Sequence, residues 1–465
     1  MTSRYKTLIK DFFIFGLGSI GSKLILFLLV PLYTNYMTDA EYGISDLVFT
    51  TAQLVAPFLS VVIFDAVTRF GLSKSEKKED VLLVGFTVLG FAILAGAAVT
   101  PLVGLYKTLN PWKWYLYVYI IFNISGSIEF NYLKVKDKNK IYALFSILRT
   151  GLMAGLNIYF LVFRKMGIQG YLLAYISANA IIDIVVFFVA GIGKDLKLAH
   201  FDKQLCIRML KFSTPLILNN ISWWIIHSSD KYMVEIMISA AALGIYTVAA
   251  KIPSLINVIV TIFQQAWGIS SIKEIESTND TGYYSAVFRY FFLLTSGACI
   301  FLTGIMKIFM HYYVGKDFFE AWQYIPLLLV SAVYTSVSSY FGTMYGALKK
   351  PVNSMITTVL SAVINIAVNF ILIPRIGIWG AVVGTVVSYI FVAVSRMFDV
   401  CRYIKIKIDY FKFISLSLII IAQAVLVSLD WHIYIVSVIA VILYFVININ
   451  DFIYLLKRRG KIAKN

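Results

Sequence analysis

Charged residues, cysteine and histidine are all scarce in this chain of 465 residues. Asp, Glu, Lys and Arg together make up 14% of it, whereas about 25% is usual for a soluble domain. The three cysteines are widely separated, so they predict neither a disulfide framework nor a zinc site. The four histidines have no metal or catalytic spacing, and no nucleophile elbow, phosphate loop or closely spaced carboxylate pair occurs. These absences argue against an enzyme and against a bound cofactor. The residues concerned are Cys206, Cys299, Cys401, His200, His227, His311 and His432.

Apolar sequence is what the chain has in abundance. Hydrophobic residues make up 60% of it, more than a soluble domain could bury. They fall into about fourteen runs, each long enough to cross a bilayer core of about 30 Å as a helix. No connecting segment is long enough to form a soluble domain. The sequence therefore predicts an all-α integral membrane protein with about fourteen transmembrane helices.

The net charge of +17 is distributed according to membrane topology. Lys and Arg collect in alternate connecting segments, in a ratio of roughly three to one, which by the positive-inside rule places those segments in the cytoplasm. Both termini are then cytoplasmic. Attraction to anionic lipid headgroups accounts for most of the remaining basic excess, so the charge does not indicate a nucleic-acid partner.

An internal repeat predicts two similar lobes. AEYGI at Ala40–Ile44 recurs as AALGI at Ala241–Ile245, and the glycine pair of Gly167–Gly170 recurs at Gly377–Gly380. Proline kinks at Pro57 and Pro253 correspond in the same way. We therefore expect two six-helix lobes in the same orientation, with a substrate site between them. The predicted boundaries are 1–193 for the first lobe, 194–206 for a cytoplasmic linker, 207–403 for the second lobe, and 404–465 for two extra helices with a basic tail.

Several cations lie inside the predicted spans, where a charge is costly unless it faces a polar cavity or a partner. Three lie deepest on polar helix faces, and two of these come from opposite predicted lobes, so they predict a cationic cavity able to clamp a phosphate. Snorkelling to the headgroups is the alternative for the cations nearer the helix ends, and a structural ion pair is the alternative for the deep ones. The deep cations are Lys23, Arg149 and Lys251; the others assigned to the cavity are Arg69, Lys211, Arg289 and Arg396.

Acidic and amide side chains within the spans complete the candidate site. Asp65 is four residues before Arg69, which allows an ion pair on one helix face, and Asp183 could neutralise Arg149 or respond to protons. Asp230, at the end of a span, is the third candidate for coupling or ion pairing. Glu129 also lies within a span and has no predicted role. The candidates for sugar contacts are Asn219, Asn220, Gln264 and Gln265, and Trp223 and Trp224 are interpreted as an aromatic belt.

Several segments resemble Wzx-type polysaccharide and O-antigen flippases of the multidrug/oligosaccharidyl-lipid/polysaccharide (MOP) exporter superfamily. They are FGLGSIGSKLILFLLVPLYTNYMTDAEYGISDL near the N-terminus, Asp65–Phe70, Trp224 with Ser229–Met233, Gly244–Tyr246 with Lys251–Pro253, and Phe263–Trp267. The resemblance implies translocation of an undecaprenyl-diphosphate-linked oligosaccharide for lipopolysaccharide, capsule or exopolysaccharide from the inner to the outer leaflet by alternating access. It also implies a bacterial cytoplasmic membrane, with a glycan polymerase and a chain-length regulator as partners.

The alternative is a MATE-like, cation-coupled exporter of drugs or other small molecules. The drug-exporting branch usually carries a cation-coupling acid in its first helix, but no acid occurs between Phe12 and Met37 here, where Lys23 stands instead. An inside-negative potential favours outward passage of an anion by roughly 2.3 kcal/mol per charge per 100 mV. Two driving forces are therefore open: the membrane potential alone, or the potential together with exchange of a proton or a sodium ion.

Overall fold

The computed structural model describes residues 25–73, 76–277, 281–348 and 350–453. These residues are 88% helical and contain no strand. They divide into two compact units, 25–244 and 245–453. The all-α fold class predicted from the apolar runs is thereby confirmed.

The first unit contains nine complete helices and the beginning of a tenth. A 3-10 turn at Asn110–Trp112 precedes the fifth helix, and a π-helical turn at Ile158–Phe163 extends the sixth. The helices are α1 (Val30–Tyr36), α2 (Asp39–Ser60), α3 (Ile63–Gly71), α4 (Lys78–Val103), α5 (Lys113–Val135), α6 (Asn139–Asn157), α7 (Gly167–Val189), α8 (Ile192–Leu198), α9 (Lys203–Met237) and α10 (Ala240–Lys251).

The second unit continues from within α10 and contains seven further helices. A long 3-10 segment at Lys316–Gln323 connects two of them. They are α11 (Pro253–Ser277), α12 (Thr281–Tyr313), α13 (Ile325–Ala347), α14 (Pro351–Ile376), α15 (Ile378–Cys401), α16 (Tyr410–Ser428) and α17 (Ile433–Ile447).

Polar side chains cap the N-termini of several of these helices by accepting hydrogen bonds from free backbone N–H groups. Thr38 and Glu41 form a capping box at the start of α2, in which each side chain accepts the other residue's backbone N–H, at 3.2 and 2.9 Å. Asp202 caps α9 through the backbone N–H of Gln204, and Asp409 caps α16 through that of Lys412. The polar connections between apolar runs thus define the helix starts.

Two spans are broken, one in each half of the chain. The axes of α2 and α3 differ by 56° at Val61 and Val62, both of which have positive φ. The axes of α10 and the beginning of α11 differ by 46°, and Pro253 is the first residue of α11. The kink predicted at Pro253 therefore lies at a break, whereas Pro57 lies within α2 and the break follows after Ser60.

Both copies of the glycine repeat place a glycine with positive φ at the start of a helix. Gly167 and Gly377 have φ of +52° and +61°, a backbone conformation that glycine adopts without steric cost. The second glycine of each copy allows a close approach to the preceding helix: a Cβ on Gly170 would lie 2.9 Å from Cβ of Phe160, and one on Gly380 would lie 2.4 Å from the nitrogen of Ile373. Each repeat therefore makes a tight turn between two packed helices.

The number of spans is confirmed only in part. Within the described residues, eight helices are long and apolar enough to cross a membrane, or up to ten if each bent pair is one span. The count of about fourteen is not confirmed. The observed division at 244/245 also differs from the linker predicted at 194–206, because α9 packs against α2 and α3 in the first unit. The two six-helix lobes stay a prediction.

Candidate functional site

A charged pair in the first unit is formed by Arg149 on α6 and Asp183 on α7. Asp183 is only 3% exposed. The guanidinium of Arg149 also lies over the ring of Phe130, 4.2 Å from its centroid, within the distance at which a cation is attracted to an aromatic face. Asp183 therefore neutralises Arg149, as one of the two predicted alternatives requires. Contact between Arg149 and a substrate stays a prediction.

Helix α5 supplies the third wall of this site. A Cβ on Gly126 would lie 2.7 Å from Oδ1 of Asp183 and 2.8 Å from Nη2 of Arg149, so the ion pair sits against the bare backbone of that residue. Glu129 is one turn further along the same face of α5; it is 2% exposed and accepts a hydrogen bond from Ser125 at 3.3 Å. We name Ser125, Glu129, Arg149 and Asp183 the α5–α7 cluster.

The α5–α7 cluster has more acid than base. It holds two carboxyl groups and one guanidinium, so full ionisation would leave a net negative charge inside an apolar bundle, which is costly. Within the described part of the chain, Oε2 of Glu129, Oδ2 of Asp183 and Nε of Arg149 have no hydrogen-bond partner. The cluster therefore keeps two buried carboxyl oxygens without a partner among the described residues. The sequence analysis gives Glu129 no role. The available signal was the Gly126-x-x-Glu129 spacing, which puts a small residue and an acid on one face of α5.

A second polar contact joins α9 to α2. Nζ of Lys231 lies 2.6 Å from Oδ2 of Asp46, and the indole N–H of Trp224 donates to the carbonyl oxygen of Thr50 at 2.8 Å. The sequence analysis interprets Trp224 as part of an aromatic belt. Trp224 and Lys231 both connect α9 to α2. The pairing of Lys231 with Asp46 was missed because the two residues are 185 positions apart.

Arg396 is the buried cation of the second unit and is 2% exposed. Its guanidinium on α15 donates to Oγ1 of Thr358 at 2.7 Å and to Oγ1 of Thr357 at 3.2 Å, both on α14. It also donates to the backbone and hydroxyl oxygens of Ser338 on α13, each at 3.2 Å. A Cβ on Gly342 would come within 2.4 Å of Nη1. Arg396 therefore links three helices through neutral oxygens, and snorkelling does not describe its position.

The other predicted site residues are spread across the structure. Arg69, Lys211 and Asp65 are exposed, while Lys251, Gln264 and Asn220 are half-buried, the amide of Asn220 donating to the carbonyl oxygen of Leu216 at 2.9 Å. Asp230 is buried and accepts the backbone N–H of Lys231 at 2.9 Å. Arg289 pairs with Asp451. Lys23 and the side chains of Asn219 and Gln265 lie outside the described residues. The clamp between Lys23 and Lys251 therefore stays a prediction.

The fold and these buried charges define a class: a multi-span helical membrane protein with ionisable groups inside its bundle, as in transporters. A family model described as "Polysaccharide biosynthesis protein" matches residues 8–268. The chain belongs to this family. The predicted resemblance to polysaccharide flippases of the MOP superfamily is confirmed.

Two curated relatives are similar over parts of the chain. The chain is 25% identical over 255 residues to the "Probable low-salt glycan biosynthesis flippase Agl15" of Haloferax volcanii, covering 52% of each protein. It is 21% identical over 331 residues to "Lsg locus putative protein 1" of Haemophilus influenzae, covering 69% of this chain and 80% of the relative. The match therefore spans about half the length of Agl15.

Solved structures of two transporter types have the same fold. The inward closed conformation of the lipid II flippase MurJ superposes with a TM-score of 0.71 at 14% identity, covering 96% of this chain and all of MurJ. An inward-facing multidrug resistance MATE transporter of the MOP superfamily gives 0.70 at 14% identity, covering 84% of this chain and 94% of the transporter. These likenesses show the fold alone.

Proposed function

We propose that the chain is a flippase that moves an undecaprenyl-diphosphate-linked oligosaccharide, such as an O-antigen, capsule or exopolysaccharide unit, from the inner to the outer leaflet. The observation that carries this proposal is the family match over residues 8–268. The glycan flippase Agl15 among the relatives and the lipid II flippase MurJ among the structures support it. The chain then acts as a transporter in polysaccharide biosynthesis and carries out no chemical step.

A cationic path is the physical requirement for such a substrate. A diphosphate that crosses a low-dielectric slab loses its hydration, and fixed cations must replace it. In this proposal Lys23 and Lys251 meet the diphosphate, while the amides of Asn220 and Gln264 meet the sugars. The inside-negative potential favours outward movement of the anion.

The α5–α7 cluster is the proposed coupling site. Its surplus carboxyl group takes up a proton or a sodium ion. Movement of this counter-ion then drives the transport cycle together with the membrane potential. Asp183 and Glu129 suit this role better than Asp65, because both are buried whereas Asp65 is exposed.

We further propose fourteen spans with both termini in the cytoplasm of a bacterial cell. Four more helices, α1, α5, α9 and α17, would then cross the membrane in addition to the ten membrane-capable spans. Helices α1 and α17 lie in the short apolar segments Ile25–Tyr36 and Ile433–Ile447, and α5 and α9 are long but more polar. A glycan polymerase and a chain-length regulator are the proposed partners in the membrane.

Surface glycan display tests this function. In a strain that lacks the chromosomal gene, plasmid-borne Lys23→Ala and Lys251→Ala variants should lower display about tenfold or more. The reason is that a charged hydrogen bond contributes about 1.5–3 kcal/mol and about 1.4 kcal/mol is a factor of ten. The readout is glycan on whole cells, normalised to the amount of protein in the membrane.

Lys107→Ala is the matched control, because Lys107 is an exposed lysine in the connection after α4. It should leave display unchanged. Normal display in both the Lys23 and Lys251 variants would reject the clamp. Normal display without the gene, combined with drug resistance on overexpression, would favour the MATE-like exporter that has the same fold.

A further inference from the structure

A pocket of about 280 Å³ lies at one end of the second unit, apart from the buried charges already described. It is formed by the first three turns of α12, the segment that leads into α16, the beginning of α16, and Asn448 just after α17. Because it adjoins the ends of three helices, it lies where apolar spans meet the polar membrane surface. Lipid phosphates are found at this level.

Three basic residues line the pocket: Arg289, Lys407 and Lys412. Asp451 holds two of them, with Oδ1 at 3.2 Å from Nη1 of Arg289 and Oδ2 at 2.6 Å from Nζ of Lys412. Asp451 is 3% exposed, so a buried carboxylate fixes two cations at the rim. This geometry differs from a random set of solvated surface lysines.

The basic charge is only partly balanced. Asp409 also lines the pocket, but its carboxylate caps α16 by accepting the backbone N–H of Lys412 at 3.1 Å. Lys407 is held in place through its backbone N–H, which donates to Oγ of Ser285 at 2.8 Å. Among the described residues, three cations therefore face two carboxylates, Asp409 and Asp451, and the surplus positive charge is complementary to an anion.

The inner wall of the pocket is aromatic. Phe288, Phe292 and Phe413 line it, with the rings of Phe292 and Phe413 4.9 Å apart between centroids. Outside the pocket, α16 presents Phe411 and Ile414 at 75% and 54% exposure. A basic rim is thus continuous with an exposed apolar helix face, which is the arrangement that an amphipathic molecule requires.

We propose that this pocket binds the phosphate headgroup of an anionic glycerophospholipid resident in the same leaflet, with an acyl chain lying along the exposed face of α16. Its size favours a small headgroup, since pockets for small ligands start at about 300 Å³ and an oligosaccharide would not fit. The lipid would connect α12 to the last two helices. The proposal does not depend on the proposed transport function.

Native mass spectrometry of the purified full-length protein tests the proposal. After delipidation, the protein is titrated with phosphatidylglycerol, with zwitterionic phosphatidylcholine of the same chains, and with diacylglycerol, which has no phosphate. We expect retention of phosphatidylglycerol, with about tenfold weaker binding of the other two, which corresponds to about 1.4 kcal/mol. Equal retention of phosphatidylglycerol and phosphatidylcholine would overturn the proposal.

Two variants and one control locate the lipid. Lys407→Glu should weaken phosphatidylglycerol binding about tenfold, while Lys405→Glu, an exposed lysine of the same segment outside the pocket lining, should leave it unchanged. Ala286→Phe keeps every charge but fills the pocket, so it should also weaken binding. Equal effects of Lys407→Glu and Lys405→Glu, or undiminished binding by Ala286→Phe, would show a diffuse surface charge instead of a site.

Thermal unfolding distinguishes a lipid from a free anion. A ligand that binds only the folded state raises the Tm with its concentration. Phosphatidylglycerol should raise the Tm of the wild type and of Lys405→Glu, and have little effect on Lys407→Glu. Inorganic phosphate at the same concentration should have no effect. An equal rise with phosphate alone would contradict a lipid site.

Discussion

Asp183→Ala should strongly destabilise the first unit and remove transport. Deleting one partner of a buried ion pair costs about 3–5 kcal/mol, because the other charge is left uncompensated. The side chain of Arg149 is 25% exposed, so we expect the lower end of that range. The yield of folded protein in detergent and its Tm measure the effect, with surface glycan display as the functional readout.

The double variant Arg149→Leu with Asp183→Leu separates structure from function. Removing both charges leaves no unpaired guanidinium, so stability should recover relative to Asp183→Ala. If the α5–α7 cluster takes part in coupling, this folded double variant should still fail to display glycan. Normal display would make the pair purely structural.

A surface pair provides the control for this experiment. Arg208 and Glu76 are 2.7 Å apart, but the side chain of Arg208 is 48% exposed. Glu76→Ala should therefore cost only about 0–1 kcal/mol. If Glu76→Ala and Asp183→Ala lowered the Tm equally, burial would not explain the effect.

Gly244→Ala should also have a large effect, through close backbone packing between the starts of α2 and α10. A Cβ on Gly244 would lie 2.0 Å from the carbonyl oxygen of Asp39, and one on Gly43 would lie 2.3 Å from that of Ala240. Both neighbours are backbone atoms and cannot rotate away. Overpacking costs about 1–3 kcal/mol, sometimes more, and we expect at least the upper end of that range.

Gly155→Ala is the matched control for Gly244→Ala. Gly155 lies within α6, and a Cβ there would have no neighbour within 4 Å. Alanine should raise stability by about 0.8–1 kcal/mol, since glycine is the poorer helix former. Tm values of both variants test the contrast. A Gly244→Ala protein as stable as the wild type would mean that the two helix starts do not pack as closely as described.

The repeat explains why much of the fold was predictable. The apolar runs required helices, and the paired glycines located two turns, at Gly167 and Gly377, where φ is positive. The span count was harder because α5 carries Asn123, Glu129 and Asn131 among its apolar residues. Glu129 lowers the mean hydropathy of α5, although the side chain itself is buried within the bundle.

The site was less predictable than the fold because pairing depends on distant residues. Asp183 was a candidate partner for Arg149, since both lay deep in spans. Asp46 and Lys231 come together only after folding, and nothing local in the sequence relates them. Arg396 has a cage of serine and threonine oxygens on two other helices, and hydroxyl groups of this kind are too common in spans to mark a site.

Flipping by the purified protein in liposomes tests the central claim most directly. Vesicles containing a fluorescent undecaprenyl-diphosphate-linked oligosaccharide would be assayed with a membrane-impermeant quencher, with and without protein. We predict protein-dependent transfer between leaflets, accelerated by a potential that is negative on the side the anion leaves, and about tenfold slower with Lys251→Ala. Equal transfer in protein-free vesicles, accompanied by protein-dependent uptake of an organic cation, would contradict the account.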